Sequence, residues 1–301
     1  MTFQYLTNYL WSGVVMSPEE RIPLGVAPLS ALDLSPTAYI RAAAAAGFSA
    51  IGLRASPVGD GDPEFPLDTS TSGFRNITSV LDETGLEVLD LEVFSVGPET
   101  SPDDWLPVLD VGAELGASYL NVVGVHPSLE AFEQIVGRLT EDARDRGIVP
   151  VLEPVAYRPL NDFNEAVRIA RTVGCAVEMD VLHFIRTGAS LDMVAANRDL
   201  FPILQICDAP ARLDDHRAEL EEIAAERGGK DLHIIESRSL RLLPGQGDGP
   251  IGELLQILGG ATRLSVEVPN VRLRGELSAA DYLRLLCQTT QAYLSAEPQT
   301  H

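Results

Sequence analysis

The chain has 301 residues, and 45% of them are hydrophobic, which supplies a large core and excludes a disordered chain. Its 22 basic residues face 44 acidic ones, for a net charge of −22. A surface this acidic repels phosphate backbones and anionic lipids. We therefore expect neither nucleic acid nor a membrane as a partner.

Eight short β-rich runs recur along the chain, and each is followed by a segment with a helical pattern. Residues 1–22 precede them as a predicted N-terminal extension, which lacks the basic start of a signal peptide. The predicted strands are 24–27, 50–53, 87–93, 119–123, 150–153, 176–180, 203–207 and 264–268. We expect one domain over residues 23–296 and a frayed tail over 297–301.

The segments between the strands carry helix signals. One predicted helix starts with the proline at residue 36, and the others have apolar residues spaced three and four apart. The predicted helices end at Gly47, Gly116, Gly147 and Gly174. Residues 103–115, 129–146 and 161–173 are the clearest cases. Strands that alternate with helices form a parallel sheet, and eight is the number at which such a sheet closes into a (β/α)₈ TIM barrel.

The connection between the seventh and eighth predicted strands is unusually long. It contains a charged helix at 218–227 and the run LLPGQGDGP. Long loops in compact domains are usually functional, and the loops that follow barrel strands form the rim of the active site. We therefore expect this connection to contribute to the site.

Three cysteines, Cys175, Cys207 and Cys287, form no CxxC pair, and any disulfide scheme leaves one unpaired. This usage favours reduced thiols and a cytoplasmic protein.

Polar residues end the last four predicted strands. Three are carboxylates, Glu153, Asp180 and Glu267, and the fourth is the amide of Gln205. Carboxylates are rarely buried unless they are paired or bind a metal, and four oxygen ligands suit a hard cation such as Mg²⁺ or Mn²⁺. The alternative is that these acids cap the following helices or form ion pairs.

The chain carries EP (Glu153 and Pro154) followed by Arg158, and then the runs MDVLHFIRTG, QICDAP, LPGQGDGP and VEVPN. These motifs resemble the sugar phosphate isomerase/epimerase family, the xylose isomerase-like TIM barrels, and the resemblance covers nearly the whole chain. It implies one divalent metal bound by Glu153, Asp180, Gln205 and Glu267. Many relatives have histidine at the position of Gln205, so the amide favours Mn²⁺ or Mg²⁺ and leaves Co²⁺ and Zn²⁺ as alternatives.

The resemblance also implies a mechanism. A metal-bound carbonyl acidifies the neighbouring C–H, and the enediolate that forms is stabilised by the metal. Glu153 and Glu267 match the two catalytic glutamates, one of which removes the proton and one of which returns it. The substrate is expected to be a keto-sugar or a sugar-like polyol, and the assembly a dimer or tetramer.

Further residues are predicted to contact the substrate. They lie at strand ends or in the loops that follow, and the arginines suit an anionic group: His183, Arg158, Arg186, Arg212, Arg54, Glu92 and His126. For Arg54 and Glu92 the alternative is that they pair with each other.

Other functions stay open. If the intermediate expels a hydroxyl group, the same residues form a dehydratase of the inosose or dehydroshikimate type. A non-catalytic barrel subunit is the alternative from another class. A barrel of the endonuclease IV type needs several histidines at a zinc cluster, whereas this acidic chain has five histidines in total.

Overall fold

The computed structural model describes residues 22–55 and 65–296, so the predicted extension up to residue 21 and the tail lie outside the described residues. Eight parallel strands close into a barrel in sequence order, which confirms the predicted fold. The strands are β1 Gly25–Val26, β2 Ala50–Arg54, β3 Glu87–Val96, β4 Tyr119–Gly124, β5 Val149–Glu153, β6 Ala176–Asp180, β7 Ile203–Ile206 and β8 Arg263–Val266.

Helices surround the barrel. They are α1 Pro36–Ala46, α2 Ser72–Thr84, α3 Pro102–Leu115, α4 Leu129–Arg144, α5 Phe163–Val173, α6 Val181–Thr187, α7 Leu191–Ala196, α8 Arg217–Arg227, α9 Leu232–Ser239, α10 Ile251–Leu258, α11 Val271–Glu276 and α12 Ala279–Ala296. The predicted helix 129–146 ends two residues early, at Arg144. The predicted helix 161–173 begins at Phe163, because Asp162 is its N-cap and accepts hydrogen bonds from two backbone N–H groups.

Two apolar regions hold the barrel together. The larger lies between the strands and the surrounding helices. The smaller fills the barrel interior and consists of Ala50, Leu89, Val151, Ala176 and Ile203. All five residues lie within the first three positions of their strands. The N-terminal end of the barrel is therefore apolar, and polar side chains are left to the opposite, C-terminal end.

Strand β3 contains an extra residue relative to β2. Ile51 pairs with Val88, but Gly52 pairs with Asp90, so Leu89 is unmatched. A bulge of this kind changes the direction of the side chains that follow it. Here the carboxyl groups of Asp90 and Glu92 lie against Gly52, where a Cβ atom would be 2.7 Å and 2.5 Å from them.

The glycine-rich run between β7 and β8 wraps around one carboxylate. Asp208 is 1% exposed, and its Oδ1 accepts hydrogen bonds from the backbone N–H groups of Ala209 and Gly249. Its Oδ2 accepts from Gly245 and Gly247. Four N–H donors satisfy the buried charge. The long connection is therefore an ordered structure built on Asp208.

All three cysteines are free and buried, in agreement with the predicted thiols. Within residues 22–55 and 65–296, no helix is long and apolar enough to cross a lipid bilayer.

We predict that Gly247→Ala destabilises the protein by about 1–3 kcal/mol, a typical cost of overpacking. An added Cβ would overlap the backbone oxygen of Ala209 and lie 2.5 Å from Oδ1 of Asp208. Urea unfolding measures the change. Gly260→Ala is the control, because its Cβ would meet no atom within 4 Å. Equal stabilities of the two variants would contradict this account of the glycine.

Candidate functional site

The four predicted strand-end residues lie close to the C-terminal end of the barrel. Glu153 and Asp180 are the last residues of β5 and β6, Gln205 is within β7, and Glu267 follows β8 directly. Each is at most 6% exposed. Burial of all four is unusual for such polar groups and requires a partner for each charge.

The partner of two of these carboxylates is Arg241, which the sequence analysis missed. Its Nη1 donates a hydrogen bond to Oδ2 of Asp180 at 2.5 Å, and its Nη2 lies 2.8 Å from Oε2 of Glu267. The arginine side chain is 1% exposed. The alternative of ion pairing is therefore realised for both acids. Asp180 is also the N-cap of α6, since its Oδ1 accepts from the backbone N–H of His183.

The remaining N–H groups of the guanidinium also have partners. Nε donates to the backbone oxygen of Ser237 at 2.9 Å, and Nη2 donates to the Ser237 hydroxyl at 3.3 Å. Nη1 contacts Sγ of Cys207 at 3.5 Å. With Asp180 and Glu267, these contacts account for all five donors of an arginine side chain. The guanidinium is fixed in one orientation.

Several site residues offer atoms that could bind a metal ion. Ligand atoms of Glu153, Asp180 and His183 all lie within 4.8 Å of one another, so this buried group can bind a metal. Oε1 of Gln205 has no hydrogen-bond partner, as expected of an available ligand.

The predicted set of four ligands fits a metal poorly while Arg241 is in place. Arg241 already neutralises Asp180 and Glu267, and a cation between them would lie beside the guanidinium. At 4 Å and an effective dielectric constant of ~20, the repulsion amounts to about 4 kcal/mol per unit of charge on the ion.

Glu153 lies between two neutral partners. Its Oε2 accepts a hydrogen bond from Nδ2 of Asn121 at 3.0 Å, and its Oε1 is 3.6 Å from Nε2 of His183. Burial, together with the nearby carboxylates of Glu267 and Asp180, raises the pKa of Glu153 to about 8. This carboxyl group is therefore mostly protonated at neutral pH and can donate a proton.

The pKa values of Glu267 and Asp180 shift in opposite directions although both carboxylates contact the guanidinium. Burial raises the pKa of Glu267, and Arg241 opposes that rise. For Asp180, Arg241 and His183 outweigh the effect of burial, so its pKa is lowered. Asp180 is thus the permanent counter-charge of Arg241.

His183 lies where its motif predicted, beside the other site residues. It is 2% exposed, and its ring contacts Tyr157 edge to face. Burial is the main cause that lowers the pKa of His183 to about 4, and Arg241 contributes. The imidazole is therefore neutral at physiological pH and can donate or accept a hydrogen bond.

Below this site lies a second group of acids, Asp90, Glu92 and Glu178, each at most 1% exposed. Nδ2 of Asn121 donates to Oε2 of Glu178 at 2.5 Å and so joins Glu178 to Glu153. Burial raises the pKa of Asp90 to about 7. Burial and mutual repulsion raise the pKa values of Glu92 and Glu178 well above the usual range.

Two adjoining cavities open at this end of the barrel. The smaller, about 50 Å³, is lined by Glu153, His183, Arg241 and Glu267, as well as by Arg54 and Ser237. The larger, about 850 Å³, shares Leu29, Arg158 and Arg238 with it. A small molecule in the larger cavity can therefore present one end to the carboxylates.

Two of the predicted substrate-binding arginines line these cavities. Arg158 borders both of them, and its guanidinium lies 5.7 Å from the centre of the Tyr157 ring. Arg54 is 6% exposed and borders the smaller one. Among the ion pairs of the described residues, none joins Arg54 to Glu92, although the charge of Arg54 opposes the raised pKa of Glu92.

The other predicted contacts lie elsewhere. Arg186 belongs to helix α6 rather than to a loop, and it forms a two-point ion pair with Glu236 at 2.5 and 2.7 Å. The Arg212 side chain is 73% exposed and lies 3.7 Å from Asp214. Nδ1 of His126 accepts a hydrogen bond from the backbone of Ser128. None of these three lines either cavity.

Weak signals in the sequence marked the missed residues. Arg241 stands between Leu240 and Leu242, and Asn121 stands between Leu120 and Val122 in a predicted strand. In extended backbone, the side chain of a polar residue points to the opposite side from the side chains of its two apolar neighbours. That pattern indicates an inward polar side chain, but it does not identify the partner.

We predict that Asp90→Asn stabilises the protein more at pH 8 than at pH 5. In the unfolded chain this carboxyl ionises near its usual pKa of 3.8, whereas in the fold it ionises near 7. Wild-type folding is therefore disfavoured progressively as pH rises between these values, and asparagine removes that penalty. The stability difference from wild type should grow by roughly 2–3 kcal/mol between pH 5 and pH 8.

Urea unfolding at several pH values measures this difference. Asp82→Asn, on an exposed face of α2, is the control and should show no such trend. A stability difference for Asp90→Asn that is independent of pH would show that this carboxyl titrates normally in the fold.

Similar solved structures share the fold at low identity. One is the IolI protein with a bound zinc atom, with a TM-score of 0.71 and 16% identity over 93% of this chain and 100% of that one. D-allulose 3-epimerase from Methylomonas sp. has a TM-score of 0.59 and 18% identity, with coverage of 91% and 98%. AsbF from Bacillus anthracis, described as a probable 3-DHS dehydratase, has a TM-score of 0.65 and 13% identity, with coverage of 89% and 98%.

No curated protein matches the sequence. The family model for the xylose isomerase-like TIM barrel matches residues 40–289, which is most of the chain. With the closed barrel and the strand-end carboxylates, this match identifies the chain as a member of the xylose isomerase-like TIM barrel family.

Proposed function

We propose that this protein is an isomerase or epimerase that moves a proton next to the carbonyl of a keto-sugar or a sugar-like polyol. The observation that carries the proposal is the small cavity in which Glu153 and Glu267, two carboxyl groups in different environments, face the same space as His183 and Arg241. Acid and base roles are typically assigned by such differences in environment. The similarity to an epimerase structure supports the same reaction class.

The residues of the chain suit both halves of a proton transfer. Glu267, held beside Arg241, acts as the base that removes a proton from the carbon next to the carbonyl. The C–H electron pair forms the C=C bond of the enediol, and the carbonyl oxygen receives a proton from Glu153. Return of a proton to the former carbonyl carbon, with loss of the O–H proton on the neighbouring carbon, gives the isomer. Return of a proton to the original carbon on the opposite face, with the O–H proton going back to Glu153, gives the epimer.

The cavity residues also suit an anionic substituent on the substrate. Arg158, Arg227, Arg238 and Arg274 line the larger cavity, although the chain as a whole is strongly acidic. Arg274 forms an ion pair with Asp33 at 2.6 Å. Arg158 and Arg238 border both cavities. A carboxylate or phosphate between Arg158 and Arg238 would leave the other end of the substrate beside Glu153.

Metal dependence remains part of the sequence-based prediction, with Mn²⁺ or Mg²⁺ as the ion. When bound, a metal would polarise the substrate carbonyl. The Glu153–Asp180–His183 group supports it, as does the zinc atom of the similar IolI structure. Arg241 argues against the complete set of four ligands.

We predict that Glu153→Gln lowers catalysed hydrogen exchange at least 100-fold, since glutamine cannot transfer the proton. The measurement is incorporation of deuterium from D₂O into ketoses and inososes, followed by NMR. Glu141→Gln, on an exposed face of α4, is the control and should leave the rate unchanged.

Full exchange in a folded Glu153→Gln variant would contradict the role of Glu153. No exchange in any tested compound by wild-type protein would favour the non-catalytic barrel. Loss of water from an exchanging compound would identify the dehydratase, a class represented among the similar structures by AsbF.

We also predict a pH limit to the exchange rate. Glu153 must carry its proton to act as an acid, and its pKa is about 8. The rate should therefore fall about tenfold per pH unit above pH ~8. A rate profile measured between pH 5 and pH 10 checks this, and a rate that continues to rise above pH 9 would show that Glu153 acts as the base instead.

A further inference from the structure

We propose that the guanidinium of Arg241 is the resident cation of this site, in the place where the sequence predicted a divalent metal between Asp180 and Glu267. The inference about occupancy stands on the contacts of Arg241. Its catalytic consequence rests on the proposed function.

The contacts show a cation site built for a guanidinium. Two of the predicted metal ligands, Asp180 and Glu267, bind different nitrogens of the same side chain, at 2.5 and 2.8 Å. The backbone oxygen of Ser237 accepts from Nε and fixes the plane of the group. The acceptors lie opposite Nε, Nη1 and Nη2, and this arrangement matches a planar guanidinium rather than a spherical metal ion.

The backbone of Arg241 is held from both neighbouring strands. Its N–H donates to the oxygen of Pro269, and its own oxygen accepts from Nδ2 of Asn270, just beyond β8. The next residue, Leu242, exchanges two backbone hydrogen bonds with Asp208, just beyond β7. Arg241 therefore enters the barrel on a segment that is paired with the extensions of both strands.

Helix α9, which precedes Arg241, is also fixed. Glu236 is completely buried and accepts two hydrogen bonds from Arg186 and one contact of 2.6 Å from His216. This attaches α9 to helix α6 of the barrel. Arg186 thus anchors helix α9, the segment that precedes Arg241.

The charge of the site agrees with an arginine as the cation. Mutual attraction with Asp180 and Glu267 makes the guanidinium permanently charged despite its burial. Both oxygens of Asp180 already accept a hydrogen bond, Oδ2 from Arg241 and Oδ1 from the backbone N–H of His183, so a metal ion at Asp180 would have to share these oxygens.

The position also suits a role in the reaction. Arg241 lines the small cavity together with Ser237, Glu153 and Glu267. The contact from Nη2 to the Ser237 hydroxyl, at 3.3 Å, is long, and a substrate oxygen in the cavity can replace it. The guanidinium would then stabilise the negative charge that develops on the carbonyl oxygen.

The decisive test is a Mn²⁺ titration of the wild-type protein, followed by the electron paramagnetic resonance signal of the free ion. Asp180→Asn is titrated in parallel, so that weak binding to the acidic surface is subtracted. We expect the two curves to coincide up to millimolar Mn²⁺. One ion bound per wild-type chain and lost in Asp180→Asn would overturn the proposal.

The second test is a gain of metal binding. Arg241→Met removes the charge and releases Asp180 and Glu267, so this variant should bind one Mn²⁺ at least 10-fold more tightly than wild type. The double variant Arg241→Met/Glu267→Gln should lose the added site, whereas Arg241→Lys should not gain it. A folded Arg241→Met protein that binds no more Mn²⁺ than wild type would show that the guanidinium does not hold the place of a metal.

If Arg241→Met does not fold, the melting temperature of wild-type protein with Mn²⁺ and with EDTA decides the question. We expect equal values, and a rise in Mn²⁺ that is absent in Asp180→Asn would overturn the proposal. These readouts are independent of activity. Absence of deuterium exchange in wild-type protein would therefore count against the proposed function alone, whereas exchange that EDTA abolishes would count against Arg241.

Discussion

Buried negative charge at the C-terminal end of the barrel is the constraint on which the rest of this structure depends. Six acidic side chains from β3, β5, β6 and the end of β8 are buried together: Asp90, Glu92, Glu153, Glu178, Asp180 and Glu267. Their charges cannot all persist in a medium of low dielectric constant without counter-charges. The structure resolves this in two ways, with a cation in direct contact with two of the acids and with protons.

The cation is Arg241, which neutralises the two acids nearest to it, Asp180 and Glu267. The protons reside on the acids that lie farther away. Burial raises the pKa of Glu153 to about 8 and the pKa values of Glu92 and Glu178 well above the usual range, so burial favours the protonated form of each group. Asn121 contacts both Glu153 and Glu178 and connects the two layers of acids.

The different environments of Glu153 and Glu267 suit a proton transfer. Glu153, whose pKa is raised to about 8, and Glu267, which is paired with Arg241, border one small cavity, so in the proposed reaction a proton donor and a proton acceptor would face the same substrate. Neutral His183 completes the lining as a hydrogen-bonding group. The arginines of the adjoining cavity can hold an anionic end of the substrate, which would fix its distance from the two glutamates.

The long connection between β7 and β8 places Arg241 inside the barrel. Asp208 organises its glycine-rich part, and Glu236 attaches its helical part to α6. Each buried charge in this connection has its own partners. The segment between them, with Arg241, is therefore positioned by interactions that involve no substrate.

The sequence by itself determined the barrel, because eight apolar strands alternating with helices have few other ways to bury their surfaces. It also determined that Glu153, Asp180, Gln205 and Glu267 gather at one end, since the carboxyl ends of parallel strands meet there. The motifs around His183 and Arg158 predicted that both residues lie at this end, and both line the small cavity.

Only the tertiary structure decided what those carboxylates contact. Arg241 is 61 residues from Asp180 in the sequence, and nothing in the local pattern connects the two. The bulge in β3 similarly directs Asp90 and Glu92 towards Gly52, which strict alternation does not specify. Periodicity predicts which face of a strand is buried, but the partner of a buried charge depends on contacts between distant segments, which form only when the barrel closes.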